Sequence, residues 1–123
     1  MPKHIFIVDD SAAIRRSLRS FFASQTGFEV CGEAADGLDA IEKAKEANPD
    51  LIILDLSMPH LNGLDTASIL SPMMPEVPII LFTAFDTVIR HSDASAYGIS
   101  AIVSKTESLN ALAEQVQDLL TTV

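Results

Sequence analysis

The residues of this sequence with the clearest chemical potential are acidic, and they follow apolar segments of strand length. Four consecutive aliphatic residues, 51–54, end at Asp55. Because four large aliphatics in a row cannot alternate between a buried and an exposed face, they predict a strand that is covered on both sides. Ligands of open α/β sheets bind outside the carboxyl ends of the strands, so this position makes Asp55 a candidate active-site group.

Other polar groups follow other predicted strands. The acid pair Asp9 and Asp10 follows the first strand, Thr83 the fourth and Lys105 the fifth. Taken singly, an acid pair before a helix is more often an N-cap with a favourable dipole interaction, and a lone lysine is a solvated charge. The carboxyl ends of parallel strands meet at one rim, however, so we expect these groups to converge near Asp55.

Such a convergence predicts a cation site. Three carboxylates in one cleft repel one another and raise each other's pKa unless a cation neutralises them. A site with oxygen ligands and without His or Cys favours a hard metal ion. A site that has few carboxylates and leaves room for water and phosphate favours Mg²⁺. With the hydroxyl of Thr83 and the ammonium of Lys105 at the same rim, the set is suited to binding a phosphoryl group.

The elements that must position these groups alternate along the whole chain. Strands are predicted at residues 4–8, 28–31, 51–54, 79–82 and 99–103. Helical spacing of apolar residues predicts a helix after each strand: the second carries Leu38, the third stops at Ser71 and Pro72, and the fourth spans residues 86–97. This alternation requires a parallel five-stranded sheet with right-handed crossovers, an α/β three-layer doubly wound (βα)5 sandwich. In the flavodoxin-like strand order 2-1-3-4-5, the switch point lies between the first and third strands.

Length and charge restrict the classes of function. The 123 residues suffice for one domain, and the net charge of −9 argues against direct binding to nucleic acid or to an anionic membrane. The single cysteine, Cys31, excludes an intrachain disulfide and is interpreted as a small core residue. The sequence shows neither a signal peptide nor an apolar run of membrane-spanning length, so we expect a cytoplasmic protein.

At these residues the sequence resembles the receiver domain of bacterial two-component response regulators, over essentially the whole chain. The shared motifs are the acid pair, the segment DLSMPHLNG that begins at Asp55, Thr83 with Ala84, and Lys105. The segment VCGEAADG at residues 30–37 and the proline-free Ser-Lys-Thr at 104–106 are most similar to receivers of LuxR/NarL-type transcription factors.

The resemblance implies a role for each residue of the site. Asp55 is expected to be the phosphoacceptor for a phosphohistidine on a sensor histidine kinase or histidine phosphotransfer protein. Asp10, Asp55 and the backbone carbonyl of Ser57 would bind Mg²⁺ directly, with Asp9 acting largely through water. Lys105 would pair with the phosphoryl group or Asp55, and Thr83 would move toward it, changing the affinity of one face for a partner or a second copy. A C-terminal DNA-binding output domain, absent from this chain, would fit the LuxR/NarL likeness.

Two positions depart from the family pattern. Ile102 stands where most members carry Tyr or Phe, and Thr106 stands where many carry Pro. The first change removes the aromatic part of the switch. The second predicts a trans peptide bond between Lys105 and Thr106, since a cis bond before a residue other than proline costs roughly 2.5 to 4 kcal/mol.

Three alternatives use the same fold. A metal-dependent phosphohydrolase of the aspartyl-nucleophile type would need a carboxylate at position 57, which is Ser57. A flavodoxin would carry a phosphate loop rich in Ser and Thr where this chain has two aspartates. A pseudo-receiver, a binding module that is not phosphorylated, stays open, although the complete acidic set favours phosphorylation.

Overall fold

The computed structural model describes residues 2–84 and 91–121, except for the side chains of residues 91 and 92. Its strands are β1 Lys3–Val8, β2 Phe28–Ala34, β3 Leu51–Leu54, β4 Ile79–Thr83 and β5 Ala101–Ser104. Its helices are α1 Ala12–Ala23, α2 Gly37–Ala47, α3 Gly63–Met73, α4 His91–Ala96 and α5 Leu109–Thr121. All strand pairs are parallel, and the strand order is β2-β1-β3-β4-β5. The predicted fold class and strand order are confirmed.

The sheet separates two hydrophobic cores. Because successive side chains of a strand point to opposite faces, Ile5 and Ile7 of β1 pack with α1 and α5, whereas Phe6 and Val8 pack with α2, α3 and α4. All four residues of Leu51–Leu54 are buried, as expected for a central strand covered on both sides.

The register between β1 and β3 determines the geometry of the carboxyl rim. Val8, the last residue of β1, is paired with Leu54, the last residue of β3. The residues that follow these two, Asp9 and Asp55, therefore begin the loops at adjacent positions on the rim. This is the switch point that the strand order predicts.

Two predicted boundaries were wrong. Strand β2 continues through Ala34 rather than ending at residue 31, because Gly32 to Ala34 pair with Phe6 to Val8 after a register shift that skips Cys31 of β2. Helix α3 does not stop at Ser71 and Pro72 but includes Pro72 and ends at Met73. Proline there removes one N–H donor, but Pro72 is exposed and so is Ser68, the residue whose carbonyl loses that donor, so water can satisfy the carbonyl.

Smaller differences concern the ends of other elements. Strand β4 includes Thr83, and β5 runs over Ala101–Ser104 instead of residues 99–103. Leu38, predicted on the apolar face of α2, is 53% exposed, because the face that packs on the sheet is formed by Ala40 and Ala44. The predicted fourth helix falls partly outside the described residues, which contain its part from His91 onward.

Candidate functional site

Three carboxylates converge at the carboxyl rim of the sheet. Asp9 and Asp55 are 2% and 5% exposed, whereas Asp10 is exposed. One oxygen of each side chain lies within 4.8 Å of the others, a spacing that one metal ion can bridge. The predicted convergence of Asp9, Asp10 and Asp55 is therefore confirmed.

Local hydrogen bonds hold Asp9 in place. Its backbone N–H donates to the carbonyl of Ala34 in β2 (3.1 Å), and its Oδ1 accepts from the N–H of Ser11 (2.9 Å). Ser11 is the N-cap of α1, and its Oγ accepts from the N–H of Ile14 (3.3 Å). The loop after β1 is thereby fixed to the neighbouring strand and to the start of the helix that follows.

Lys105 reaches two of the carboxylates. Its Nζ lies 2.9 Å from Asp9 Oδ2 and 3.2 Å from Asp55 Oδ1, and its side chain is 17% exposed. Its backbone N–H donates to the carbonyl of Thr83 (2.8 Å), which attaches the loop after β5 to β4. None of the peptide bonds in the described residues is cis, so the bond between Lys105 and Thr106 is trans, as predicted. The shorter contact with Asp9 was not anticipated from the sequence.

The carboxylates and the ammonium are electrostatically coupled. Burial raises the pKa of Asp55, the charge of Asp9 raises it further, and Lys105 acts in the opposite direction. Burial alone would lower the pKa of Lys105, but its hydrogen bond with Asp9 and the charges of both aspartates outweigh burial and raise that pKa. Ionised Asp55 thus lies in a site whose negative charge Lys105 compensates only in part.

The loop between β3 and α3 is tight, and its end packs against the backbone of Asp55. Asn62 is the N-cap of α3 and accepts from the N–H of Asp65 (2.9 Å), while the N–H of Gly63 donates to the carbonyl of Leu56 (2.8 Å). A β-carbon at Gly63 would overlap the carbonyl oxygen of Asp55, so this close approach requires glycine. Ser57 is exposed within this loop, two residues after Asp55.

Thr83 ends β4 at the same rim. It is fully buried and paired in register with Ser104. By alternation its side chain shares the face of Leu81, on the side of α2, α3 and α4. Thr83 at the end of β4 and Lys105 directly after β5 thus lie on neighbouring strands at the rim that carries Asp55.

Sequence reasoning missed two supports of the site. Arg15 on α1 donates to the backbone carbonyl of Asp9 (2.6 Å) and pairs with Glu33 on β2 (3.0 Å). The Oγ of Ser104 accepts from the N–H of Thr106 (3.1 Å) and lies 2.7 Å from its Oγ1, which shapes the turn that carries Lys105. The sequence signal for the first support was an arginine one turn into the helix that follows the acid pair. Its acceptor, however, is a backbone atom, which no pattern of side chains reveals.

The chain matches the family described as response regulator receiver domain over residues 5–117. It therefore belongs to that family of signalling phosphoacceptor domains, which act in phosphorelays. Relatives of the LuxR/NarL type are among the matches, as the motifs at residues 30–37 and 104–106 predicted. In the described residues, no helix is both long enough and apolar enough to cross a membrane.

Individual relatives agree with this family. The response regulator protein VraR of Staphylococcus saprophyticus is 32% identical over 120 residues, which cover 95% of this chain and 56% of VraR. A protein-glutamate methylesterase/protein-glutamine glutaminase of Pyrococcus horikoshii is 42% identical over 80 residues, 65% of this chain and 22% of that protein. The chain thus spans less than two thirds of the length of these relatives.

A solved structure extends the likeness to three dimensions. The response regulator protein TrrA of Thermotoga maritima, in complex with Mg(2+)-BeF, superimposes with a TM-score of 0.84 at 34% identity. The superposition covers 96% of this chain and 99% of TrrA.

The residues at the rim fit a divalent cation. All three acidic side chains offer oxygen donors, which Mg²⁺ prefers, and two of them are nearly removed from solvent. Asp10, by contrast, is exposed, so water can reach its carboxylate. Mg²⁺ takes few protein ligands and keeps several waters, so this arrangement suits it better than a closed cage would.

Proposed function

We propose that residues 1–123 form a receiver (phosphoacceptor) domain in which Asp55 accepts a phosphoryl group. The donor is a phosphohistidine on a sensor histidine kinase or a histidine phosphotransfer protein. One observation carries the proposal: Asp55 is buried at the switch point with its Oδ1 3.2 Å from Lys105 Nζ and two further carboxylates within metal-bridging distance. A carboxylate kept from solvent beside an ammonium is suited to act as a nucleophile toward phosphorus.

The transfer exchanges one bond to phosphorus for another. A carboxylate oxygen of Asp55 attacks the phosphorus, and a P–O bond forms as the P–N bond to the imidazole breaks. The electron pair of the broken bond stays on the imidazole nitrogen. Lys105 offsets the negative charge on the phosphoryl oxygens and, because it pairs with both Asp9 and Asp55, reduces the repulsion between these two carboxylates.

Asp10, Asp55 and the backbone carbonyl of Ser57 would hold Mg²⁺ directly, with Asp9 acting largely through water. When bound, the ion supplies positive charge to the carboxylates and the phosphoryl oxygens. The carboxylate spacing supports this assignment, as does the complex of TrrA with Mg(2+)-BeF.

We infer the output from Thr83, which ends β4 at the rim that carries Asp55. We infer that its hydroxyl moves toward the phosphoryl group and that the surface of α4, β5 and α5 then changes its affinity for a partner, including a second copy of the chain. We propose that the domain works in the cytoplasm, catalyses only its own phosphorylation and dephosphorylation, and transmits its state to a DNA-binding output domain. Its net charge of −9 supports the absence of direct nucleic-acid or membrane contact.

Acetyl phosphate tests the proposal without a known kinase. The wild-type protein incubated with acetyl phosphate and Mg²⁺ should gain one phosphoryl group in its intact mass, and excess EDTA should prevent the gain. An unchanged mass would support the pseudo-receiver alternative. A gain that persists in EDTA would contradict the role of the metal.

A further inference from the structure

Arg15 makes a contact that the proposed phosphotransfer does not use. From the first turns of α1, its Nη1 donates to the backbone carbonyl of Asp9 at 2.6 Å, and its Nε donates to Glu33 Oε1 at 3.0 Å. The Arg15 side chain is 17% exposed, so water competes little for these bonds. A planar guanidinium can make both bonds at once because its donors point in fixed directions.

The carbonyl that Arg15 binds belongs to the peptide unit joining Asp9 to Asp10. The orientation of this planar unit sets ψ of Asp9 and φ of Asp10, and therefore the direction in which the Asp10 side chain leaves the backbone. Asp9 is held at three points: its N–H donates to Ala34, its Oδ1 accepts from Ser11, and its Oδ2 pairs with Lys105. Asp10 is exposed, so its direction depends on the peptide plane that precedes it.

Glu33 in turn fixes Arg15. Its Oε2 accepts from Arg19 Nη2 at 2.7 Å and Nε at 2.9 Å, while its Oε1 accepts from Arg15. The hydrogen bond from Arg19 lowers the pKa of Glu33, and Arg15 contributes in the same direction, which keeps the carboxylate ionised near neutral pH. Glu33 lies on β2 next to Ala34, whose carbonyl accepts from the N–H of Asp9, so the end of β2 supports Asp9 both directly and through Arg15.

We propose that Arg15 is a positioning residue for the metal site: by binding the Asp9 carbonyl it fixes the peptide plane that aims Asp10 at the cation shared with Asp55. This inference rests on the proposed Mg²⁺ site and adds the residue that orients one ligand. Partners behind metal ligands typically change metal affinity by about 10- to 100-fold when removed. An effect near the lower limit is expected here because Arg15 acts through the backbone.

Arg15→Met tests the proposal, with Arg19→Met as its matched control. Both variants remove one arginine from Glu33, but only Arg15→Met removes the bond to the Asp9 carbonyl. NMR titration with MgCl₂ should show the dissociation constant of Arg15→Met raised by about tenfold, whereas Arg19→Met matches the wild type. Arg15→Lys, which can still reach the carbonyl with one ammonium, should fall between them.

A metal-free readout separates positioning from general stability. In Arg15→Met without Mg²⁺, loss of the hydrogen bond should shift the ¹³C resonance of the Asp9 carbonyl, and Arg19→Met should leave it in place. Wild-type affinity for Mg²⁺ in Arg15→Met and Arg15→Lys would overturn the inference while leaving the proposed function intact. Failure of the wild-type protein to bind Mg²⁺ would instead overturn the proposed metal site.

Discussion

Gly63 packs directly against the backbone of Asp55, with no room between them for a β-carbon. Gly63 is the first residue of α3, and Asp55 follows the central strand β3. The contact therefore holds the start of the helix against the end of the strand. The loop that includes Ser57 is closed at its far end by the same contact. Any side chain at position 63 would therefore have to displace the backbone of the proposed nucleophile.

Gly63→Ala should therefore destabilise the protein and displace Asp55. Overpacking a tight site costs typically 1–3 kcal/mol of unfolding free energy, and the obstacle here is backbone that cannot rotate away. Urea denaturation measures the loss, and the amide resonance of Asp55 reports the displacement. Gly27→Ala is the control, because Gly27 has a positive φ but no atom within 4 Å of an added β-carbon. The control should be strained but leave the Asp55 resonance in place; an unshifted resonance in Gly63→Ala would contradict the account.

Asp55→Asn should stabilise the metal-free protein at neutral pH. Burial and the charge of Asp9 raise the pKa of Asp55, so the folded state binds this proton more tightly than the unfolded state does. The ionised carboxylate therefore costs stability above the folded-state pKa, and the cost disappears as pH falls below the unfolded value of about 3.9. In EDTA at neutral pH, the unfolding free energy of Asp55→Asn should be larger than that of the wild type. In acid, the two values should become equal.

Asp65→Asn removes one exposed carboxylate as a control for net charge. Asp65 lies in the first turn of α3, where a negative charge is favourable, so this variant should not gain stability. With Mg²⁺, the wild type should become more stable than Asp55→Asn. A ligand at 100 times its dissociation constant stabilises the folded state by about 2.7 kcal/mol. A wild-type protein more stable than Asp55→Asn in EDTA at neutral pH would contradict the predicted repulsion.

Thr83→Ala should separate phosphorylation from its output. The backbone carbonyl of Thr83 still accepts from Lys105 in this variant, so the site should keep its geometry and still accept a phosphoryl group. Without the hydroxyl, the change at the α4, β5 and α5 surface should fail. Light scattering with Mg²⁺ and beryllofluoride should show dimers for the wild type and for Thr83→Ser, and monomers for Thr83→Ala. Dimers of Thr83→Ala would remove the hydroxyl from the switch.

The sequence was sufficient to predict the sheet and the residues at its rim because both follow from local patterns. Strand β3 is an uninterrupted aliphatic run that stops at a charge, and its predicted bounds agree with the structure. The convergence of Asp9, Asp10 and Asp55 needed only the strand order and the rule that parallel strands end at one rim. Elements that depend on tertiary pairing were less predictable. Strand β2 is longer than predicted because its residues after the register shift still pair with β1.

Contacts of the site with backbone atoms could not be predicted from residue types. The bond from Arg15 to the Asp9 carbonyl and the close approach of Gly63 to Asp55 both end on main-chain oxygen. Every residue carries such an oxygen, so composition and spacing do not indicate which one is used. Pro72 shows the same limitation in a helix, since the last turn of α3 includes an exposed proline that sequence rules treat as a stop.

The most direct test of the central claim locates the phosphoryl group chemically. Protein treated with acetyl phosphate and Mg²⁺ is reduced with borohydride, which converts a phosphorylated aspartate into homoserine, and its peptides are sequenced by tandem mass spectrometry. The account predicts homoserine at position 55, absent from samples prepared in EDTA and from Asp55→Asn. Homoserine at Asp9 or Asp10 in the wild type, with Asp55 unmodified, would contradict it.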